Sequence, residues 1–112
     1  MSIVSGRVIG RNNLVASTDN TVANPAAGTK HIVTTLIVHE RGGGTANVDL
    51  FLSGDASSDT SERIERLTLG ANEAKSFSVP IGVTEGQYLI IQSDVGNVNY
   101  RGLYTYRDGA DV

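Results

Sequence analysis

Residues 30–40 and 46–53 form the pattern that most constrains the fold of this chain. The first run (KHIVTTLIVHE) is rich in Val, Ile, Thr and Leu, which suit a pleated, half-buried surface better than a helix. In the second run (ANVDLFLS), Val48, Leu50 and Leu52 alternate with residues that point the other way. The two runs therefore predict two β-strands. The glycines at 42–44 predict an antiparallel hairpin between them, because glycine accepts the positive φ of a tight turn.

Strand-like runs separated by turn residues recur along the rest of the chain. The further candidate strands are residues 2–9, 14–17, 62–69, 75–81, 88–92 and 98–106, whereas residues 18–24 are too polar to indicate one and residues 54–61 indicate a loop. We expect a bent or helical turn before the strand in 62–69, burial of 88–92 on both faces, and a hairpin turn at 93–97. Turn signals at roughly 8–12-residue spacing predict an all-β chain. It would form a single antiparallel β-sandwich, jelly-roll-like, of about eight strands, or a seven-stranded immunoglobulin-like sandwich.

Length and composition limit the organisation of the chain. The 112 residues suit one domain, and we expect residues 1–13 to form an N-terminal arm or edge strand and residues 14–112 to form the sandwich. The chain has no cysteine, so a disulfide framework or a thiolate metal site is excluded. The formal charge of −3, without a Lys/Arg cluster, argues against a nucleic-acid partner. No apolar run approaches the ~20 residues that cross a bilayer, so we expect no membrane partner.

Polar residues that could support chemistry are scattered. His31 and His39 lie eight residues apart on one predicted strand, which separates them by about 26 Å and prevents them from sharing a metal ion. The carboxylates near the polar loop lack the order of a calcium-binding loop; they are Asp55, Asp59, Glu62 and Glu65. The nearby serines, Ser53, Ser57, Ser58 and Ser61, have no elbow motif or activating base. We therefore predict no catalytic residue, metal or cofactor, and a chain that is not an enzyme.

Tyrosines recur at alternate positions of the last predicted strand. Alternation places Val98, Tyr100, Tyr104 and Tyr106 on one face, and Asn99, Arg101, Leu103 and Thr105 on the other. Two interpretations stay open. The tyrosines could form a flat surface on which sugars stack, as in a carbohydrate-binding module. They could equally pack within the sandwich or at a subunit interface, because tyrosine combines a large ring with a polar tip.

The order of elements in residues 20–93 resembles that of a group of small virion proteins of tailed bacteriophages. The resemblance lies in the turn 25–28 (PAAG) before the strand 30–38, the strands 47–52, 67–70 (LTLG) and 75–79, and the glycine turn 85–86 before 88–91. These matches are patterns of residue class. Members of that group are β-sandwich proteins that decorate heads, build fibres or complete tails. The resemblance therefore implies a non-enzymatic structural role.

The resemblance implies, first, a capsid decoration or cement protein that forms homo-oligomers, binds the major capsid protein or another virion protein, and stabilises the head shell. Such a protein is made in the host cytoplasm and located in the virion. The alternatives are a tail, collar or head-fibre component and, from another class, a carbohydrate-binding module. Free sheet edges suit assembly because they can pair with other chains. We expect contacts from Ile3, Val4, Arg7, Val8, Ile9 and Arg11 in the arm, and from Arg101, Tyr104 and Tyr106 near the end of the chain.

Overall fold

The computed structural model describes the backbone of residues 3–107 and the side chains of residues 13–105. Within these bounds the chain forms nine strands and one short 3-10 helix. They are β1 (Ile3–Leu14), β2 (Asn20–Ala23), β3 (Lys30–Glu40), β4 (Ala46–Ser53), the 3-10 helix (Thr60–Glu62), β5 (Arg63–Leu69), β6 (Ala74–Ser76), β7 (Ile81–Thr84), β8 (Tyr88–Ser93) and β9 (Val98–Arg107).

The strands form two antiparallel sheets that pack face to face. Sheet A has the order β1-β9-β3-β6. On the side of β3 away from β9, β7 pairs with the first half of β3 and β6 pairs with the second half. Sheet B has the order β2-β8-β4-β5. Most consecutive strands lie in opposite sheets, which is the arrangement of a jelly-roll-like sandwich. The predicted all-β antiparallel sandwich is confirmed. The immunoglobulin-like alternative is wrong, because its first two strands share a sheet whereas β1 and β2 do not.

The predicted hairpin between residues 30–40 and 46–53 is wrong. Both strands form, but β3 lies in sheet A and β4 in sheet B. Val38 and Val48 are both fully buried in the core, so the apolar sides of the two strands meet across the interior instead of lying side by side. The glycines at 42–44 carry the chain from one sheet to the other, and Gly43 has a φ of 79° there.

Three further predictions fail where the chain changes direction. Residues 93–97 do not close a hairpin, because β8 belongs to sheet B and β9 to sheet A. Residues 15–17 form no strand: β1 ends at Leu14, and Ser17 has a φ of 55°. The run 75–81 is divided between β6 and β7, although Phe77 and Ile81 are buried in the core as the alternation predicted. Proline at 80 cannot donate to a sheet ladder, so pairing resumes only after it.

Strands β2, β5 and β8 show where local sequence patterns fail and where they succeed. Strand β2 was missed because only Ala23 of its four residues is buried, and its pairing with β8 compensates for this polar composition. The turn and strand in 62–69 are confirmed: Asp59 caps the 3-10 helix by accepting from the N–H of Ser61, and β5 follows directly. Burial of β8 on both faces is also confirmed, because Ile90 faces away from Leu89 and Ile91 and all three are inaccessible.

The core between the sheets is apolar, and β3 lies at its centre. Its buried members are Leu14, Ala23, Val33, Leu36, Val38, Ala46, Val48, Leu50, Leu69, Phe77, Ile81, Val83, Leu89, Ile91, Val98 and Tyr100. Strand β3 pairs with β9 along its whole length and with β6 and β7 on its other side. It is therefore an interior strand, paired on both sides, whose inward apolar side chains lie in the core.

Glu40, at the end of β3, is a buried carboxylate, only 2% exposed. It accepts hydrogen bonds from the N–H groups of Asn72 (2.9 Å), Gly42 (2.7 Å) and Gly43 (3.0 Å). The Asn72 N–H is the main cause of a lowered pKa of Glu40, and the glycine N–H groups add to it against the opposing effect of burial. A Cβ at Gly42 would lie 3.0 Å from a Glu40 oxygen, so a larger residue there would push against the carboxylate that holds this turn. The carboxylate thus ties the inter-sheet turn 41–45 to the turn 70–73.

We expect Glu40→Gln to destabilise the fold, because its amide nitrogen cannot accept from those N–H groups. The melting temperature at neutral pH should fall by at least about 5 °C. Glu85→Gln is the matched control, because it changes an exposed carboxylate that accepts from the N–H of Gly28, and it should alter the melting temperature little.

The loss of stability caused by Glu40→Gln should depend on pH. Because the folded state lowers the pKa of Glu40, its stabilisation is complete above the unfolded-state pKa and is lost as the pH falls through the folded-state pKa. Thermal melts should therefore show a gap between wild type and Glu40→Gln at neutral pH that narrows toward about pH 3. A gap of the same size at both pH values would show that the charge of Glu40 is not what stabilises the turn.

We also expect Leu36→Ala, inside the sandwich, to lower the free energy of unfolding by about 2–5 kcal/mol, because it leaves a cavity. Leu103→Ala, at a side chain that is 38% exposed, should cost less than about 1 kcal/mol. Urea unfolding of both variants measures the difference, and equal losses would contradict the assignment of the inner and outer sides of sheet A.

Candidate interaction face

The residues predicted as contacts do not form one surface. Ile3, Val4, Arg7, Val8, Ile9 and Arg11 belong to β1, the edge strand of sheet A, which pairs with β9 through two register shifts. Their side chains, and that of Tyr106, lie outside the described residues. Arg101 is exposed on the outer side of sheet A, whereas Tyr104 packs inward, with its ring 4.6 Å from that of His31. The division into an arm, 1–13, and a sandwich, 14–112, stays a prediction.

The outer side of sheet A, called here the A face, carries the most distinctive described surface of the chain. Three cross-strand pairs of β3 and β9 lie on it: Thr35 with Leu103, Ile37 with Arg101, and His39 with Asn99. Of these residues only Arg101 was among the predicted contacts. Asn99 and Leu103 were placed on the same face as Arg101 by alternation but were not expected as contacts. Thr35, Ile37 and His39 were missed because β3 is apolar on both sides and a register shift between Val33 and Thr35 breaks its alternation.

Two adjoining hollows mark the A face, and both are lined by Ile37 and Arg101. The first, of about 150 Å³, is also lined by His39, Ala74, Asn99 and Tyr100. The second, of about 340 Å³, is completed by Thr35, Gly102 and Leu103. Both are open surface depressions, and their described linings contain no carboxylate. Open hollows of this kind can receive the side chains of a protein partner.

Charge is divided unevenly between the two sheets. The strands of sheet A contain six of the nine basic residues of the chain but one of its twelve acids; the basic residues are Arg7, Arg11, Lys30, Lys75, Arg101 and Arg107. The acid is Glu40, which is buried. The described side chains of the A face therefore include no carboxylate that could neutralise Arg101.

Asn99 has an unused hydrogen-bond acceptor beside the first hollow. Its Oδ1 atom is buried, and no hydrogen-bond partner for it exists among the described residues. The neighbouring His39 ring is engaged elsewhere, with Nε2 3.3 Å from the carbonyl oxygen of Asn72. A buried acceptor without a donor costs about 1–3 kcal/mol, so the monomer retains an unfavourable group on this face.

The outer side of sheet B, called here the B face, satisfies its own polar groups. Arg66 donates to both oxygens of Asp49, at 2.6 and 2.9 Å, and this pairing raises the pKa of Arg66. Asp94 accepts from the N–H and Nδ2 of Asn47. Asp19 accepts from Gln92 Nε2 and from both the N–H and Oγ of Ser58. These polar side chains of the B face therefore have hydrogen-bond partners, whereas Asn99 Oδ1 on the A face has none among the described residues.

Residues 54–62 (GDASSDTSE), called here the acidic loop, follow β4, whose Phe51 is one of two buried apolar side chains on the B face. Phe51 and Ile90 are cross-strand partners that point away from the core, yet they are only 3% and 0% exposed. Ser53 Oγ donates to the carbonyl of Ser57, and Ser58 binds Asp19, so the start of the loop is held against the sandwich. The stretch predicted to be a polar loop is thus fastened to the sandwich at its base.

The residues considered for chemistry have local structural partners. Asp55 accepts from the N–H of Ser57, Asp59 from Ser61, and Glu65 from Ser78. No group of three metal-binding side chains occurs in the part of the chain that the structure describes. The same part contains no helix long and apolar enough to cross a membrane. The sugar-stacking interpretation is wrong for Tyr100, because that ring is buried in the core with 4% exposure.

Comparison with known proteins gives likenesses of fold. No protein-family model and no curated protein matches the chain. A solved structure of the disulfide-linked pili that form Bacillus endospore appendages is similar with a TM-score of 0.59 and 14% identity, over 96% of this chain and 88% of that chain. Two crystal structures of a pentameric capsid protein from metagenomic phage sequences have TM-scores of 0.43 and 0.45 and identities of 16% and 17%. They cover 93% of this chain and 64% and 65% of theirs. The pilus protein shares the fold of this chain.

We expect Asn99→Leu to leave the isolated monomer as stable as wild type or more stable. The substitution removes an acceptor that has no donor and replaces it with an apolar group of similar size beside Ile37. Thermal melts at low protein concentration test this. A loss of more than about 1 kcal/mol would indicate that Asn99 has a partner within the monomer.

Proposed function

We propose that this chain is a non-enzymatic structural protein of a virion, which acts by docking on other protein surfaces. The observation that carries the proposal is the A face, where Arg101 without a described carboxylate, an Asn99 acceptor without a described donor and two hollows, the larger mostly apolar, lie together. A protein partner that supplies a carboxylate to Arg101 and apolar side chains to the larger hollow gains free energy from the contact. A fold shared with a pilus protein is consistent with a structural role.

More specifically, we propose a capsid decoration or cement protein that binds the major capsid protein. In this proposal β1 contributes the capsid contacts expected from Ile3, Val4, Arg7, Val8, Ile9 and Arg11, and Arg101 on the A face contributes to contacts between copies of the chain. Tyr104 supports the sheet from inside rather than touching the partner. Repetition of a modest contact over a symmetric shell makes the combined binding strong, since linked contacts benefit from a high effective concentration.

A tail, collar or head-fibre component is the second candidate, and the unlike outer sides of the two sheets favour it. A surface that differs between its two sides suits head-to-tail contacts, which close into rings or extend into filaments. A decoration protein, by contrast, needs only one side that fits a shell.

Quantitative mass spectrometry of purified virions, isolated heads and isolated tails tests both candidates. The decoration proposal predicts that the chain copurifies with heads in many copies and is absent from tails. Enrichment in tails or fibres would support the second candidate. Absence from all three fractions would refute the virion proposal.

A further inference from the structure

We propose that the acidic loop of one copy docks in the hollows of the A face of a second copy, so that the chains associate head to tail. This inference rests on the proposed structural function and names the partner of the A face. The proposed partner is a second copy of this chain, because the chain itself carries both complementary surfaces.

Charge complementarity is the first support. The acidic loop contains Asp55, Asp59 and Glu62 and no basic residue. The hollows share Arg101 and have no described carboxylate in their lining. A carboxylate of the loop placed at Arg101 would form a charge-assisted hydrogen bond, which is stronger than a neutral one.

The carboxylates of the loop remain able to bind an outside partner. Asp55 and Asp59 are exposed, and the hydrogen bonds that the structure describes for them all use Oδ1. The N–H and hydroxyl of Ser61 lower the pKa of Asp59, so this group stays ionised through the mildly acidic range. One oxygen of each carboxylate is thus available to Arg101 while the other holds the loop in shape.

Donors for the Asn99 acceptor are present in the same loop. The hydroxyls of Ser57 and Thr60 make no hydrogen bond that the structure describes, and both residues are exposed. The Asn99 Oδ1 acceptor beside the first hollow is inaccessible in the monomer, so either hydroxyl reaches it only after the Asn99 side chain rotates toward the hollow. Docking with that rotation would satisfy the group that is unfavourable in the monomer.

Pairing of two A faces is the competing arrangement, and electrostatics oppose it. It would bring the basic side chains of one copy, Lys30 and Arg101, toward those of the other, with no acid among the described side chains of either face to offset them. Like charges placed together at an interface lower affinity and select against that partner. The head-to-tail contact avoids this repulsion.

Analytical ultracentrifugation of the full chain tests the inference. We expect self-association that weakens when NaCl is raised from about 0.05 M to about 0.5 M, because the contact is electrostatic. Arg101→Glu, and separately the Asp55→Lys/Asp59→Lys pair, should each raise the apparent dissociation constant at least tenfold, an estimate of about one decade for a reversed charge contact. Arg41→Glu is the matched control, since it reverses an exposed charge in the turn between the sheets and should leave association unchanged.

The decisive variant combines the changes. A chain with Arg101→Glu, Asp55→Lys and Asp59→Lys reverses the sign of the charge on both sides of the proposed contact. It should associate like wild type, whereas each parent variant should stay monomeric. Circular dichroism and thermal melts establish that all variants are folded. A wild type that stays monomeric at high concentration and low salt, or a combined variant no better than its parents, would overturn the inference. Either result would leave the localisation test of the virion proposal unaffected.

Discussion

Burial of β3 against β4 across the interior is the interaction on which the rest of this structure depends. The inward side chains of the two strands belong to one core, and their connection, 41–45, is held by the buried Glu40 carboxylate. Because β3 also pairs on both sides within sheet A, its neighbours β9, β6 and β7 are placed by it. Once these inner surfaces are committed to the core, only the outer sides and edges of the sheets can contact other molecules.

The two outer sides differ in how far they satisfy themselves. The B face pairs Asp49 with Arg66, binds Asp19 to Ser58 and Gln92, and keeps Phe51 and Ile90 buried. The A face leaves Arg101 without a described carboxylate and Asn99 Oδ1 without a described donor. The proposed docking is placed on the A face because a partner can supply a carboxylate to Arg101 there.

Local alternation was sufficient to predict most strands and their buried sides, but not their partners. The run 46–53 predicted which residues turn inward, and the run 98–106 predicted which residues share a face. The hairpins at 41–45 and 93–97 were wrong because adjacent strands usually pair and here they change sheets. Polar β2 could be found only through its pairing with β8. On the A face, alternation placed Asn99, Arg101 and Leu103 together on the side of β9 opposite the tyrosines. Thr35, Ile37 and His39 were missed because the register shift in β3 breaks the period that would have revealed them.

The most direct measurement is site-specific crosslinking from the A face. A photoreactive benzophenone amino acid replaces Leu103, at the edge of the larger hollow, in a mixture of isotopically labelled and unlabelled full-length chains. Mass spectrometry of the crosslinked peptides then separates contacts between copies from those within one copy. The account predicts crosslinks from position 103 to residues 54–62 of a differently labelled copy. Crosslinks between copies that join one A face to another, or no crosslink between copies at all, would contradict it.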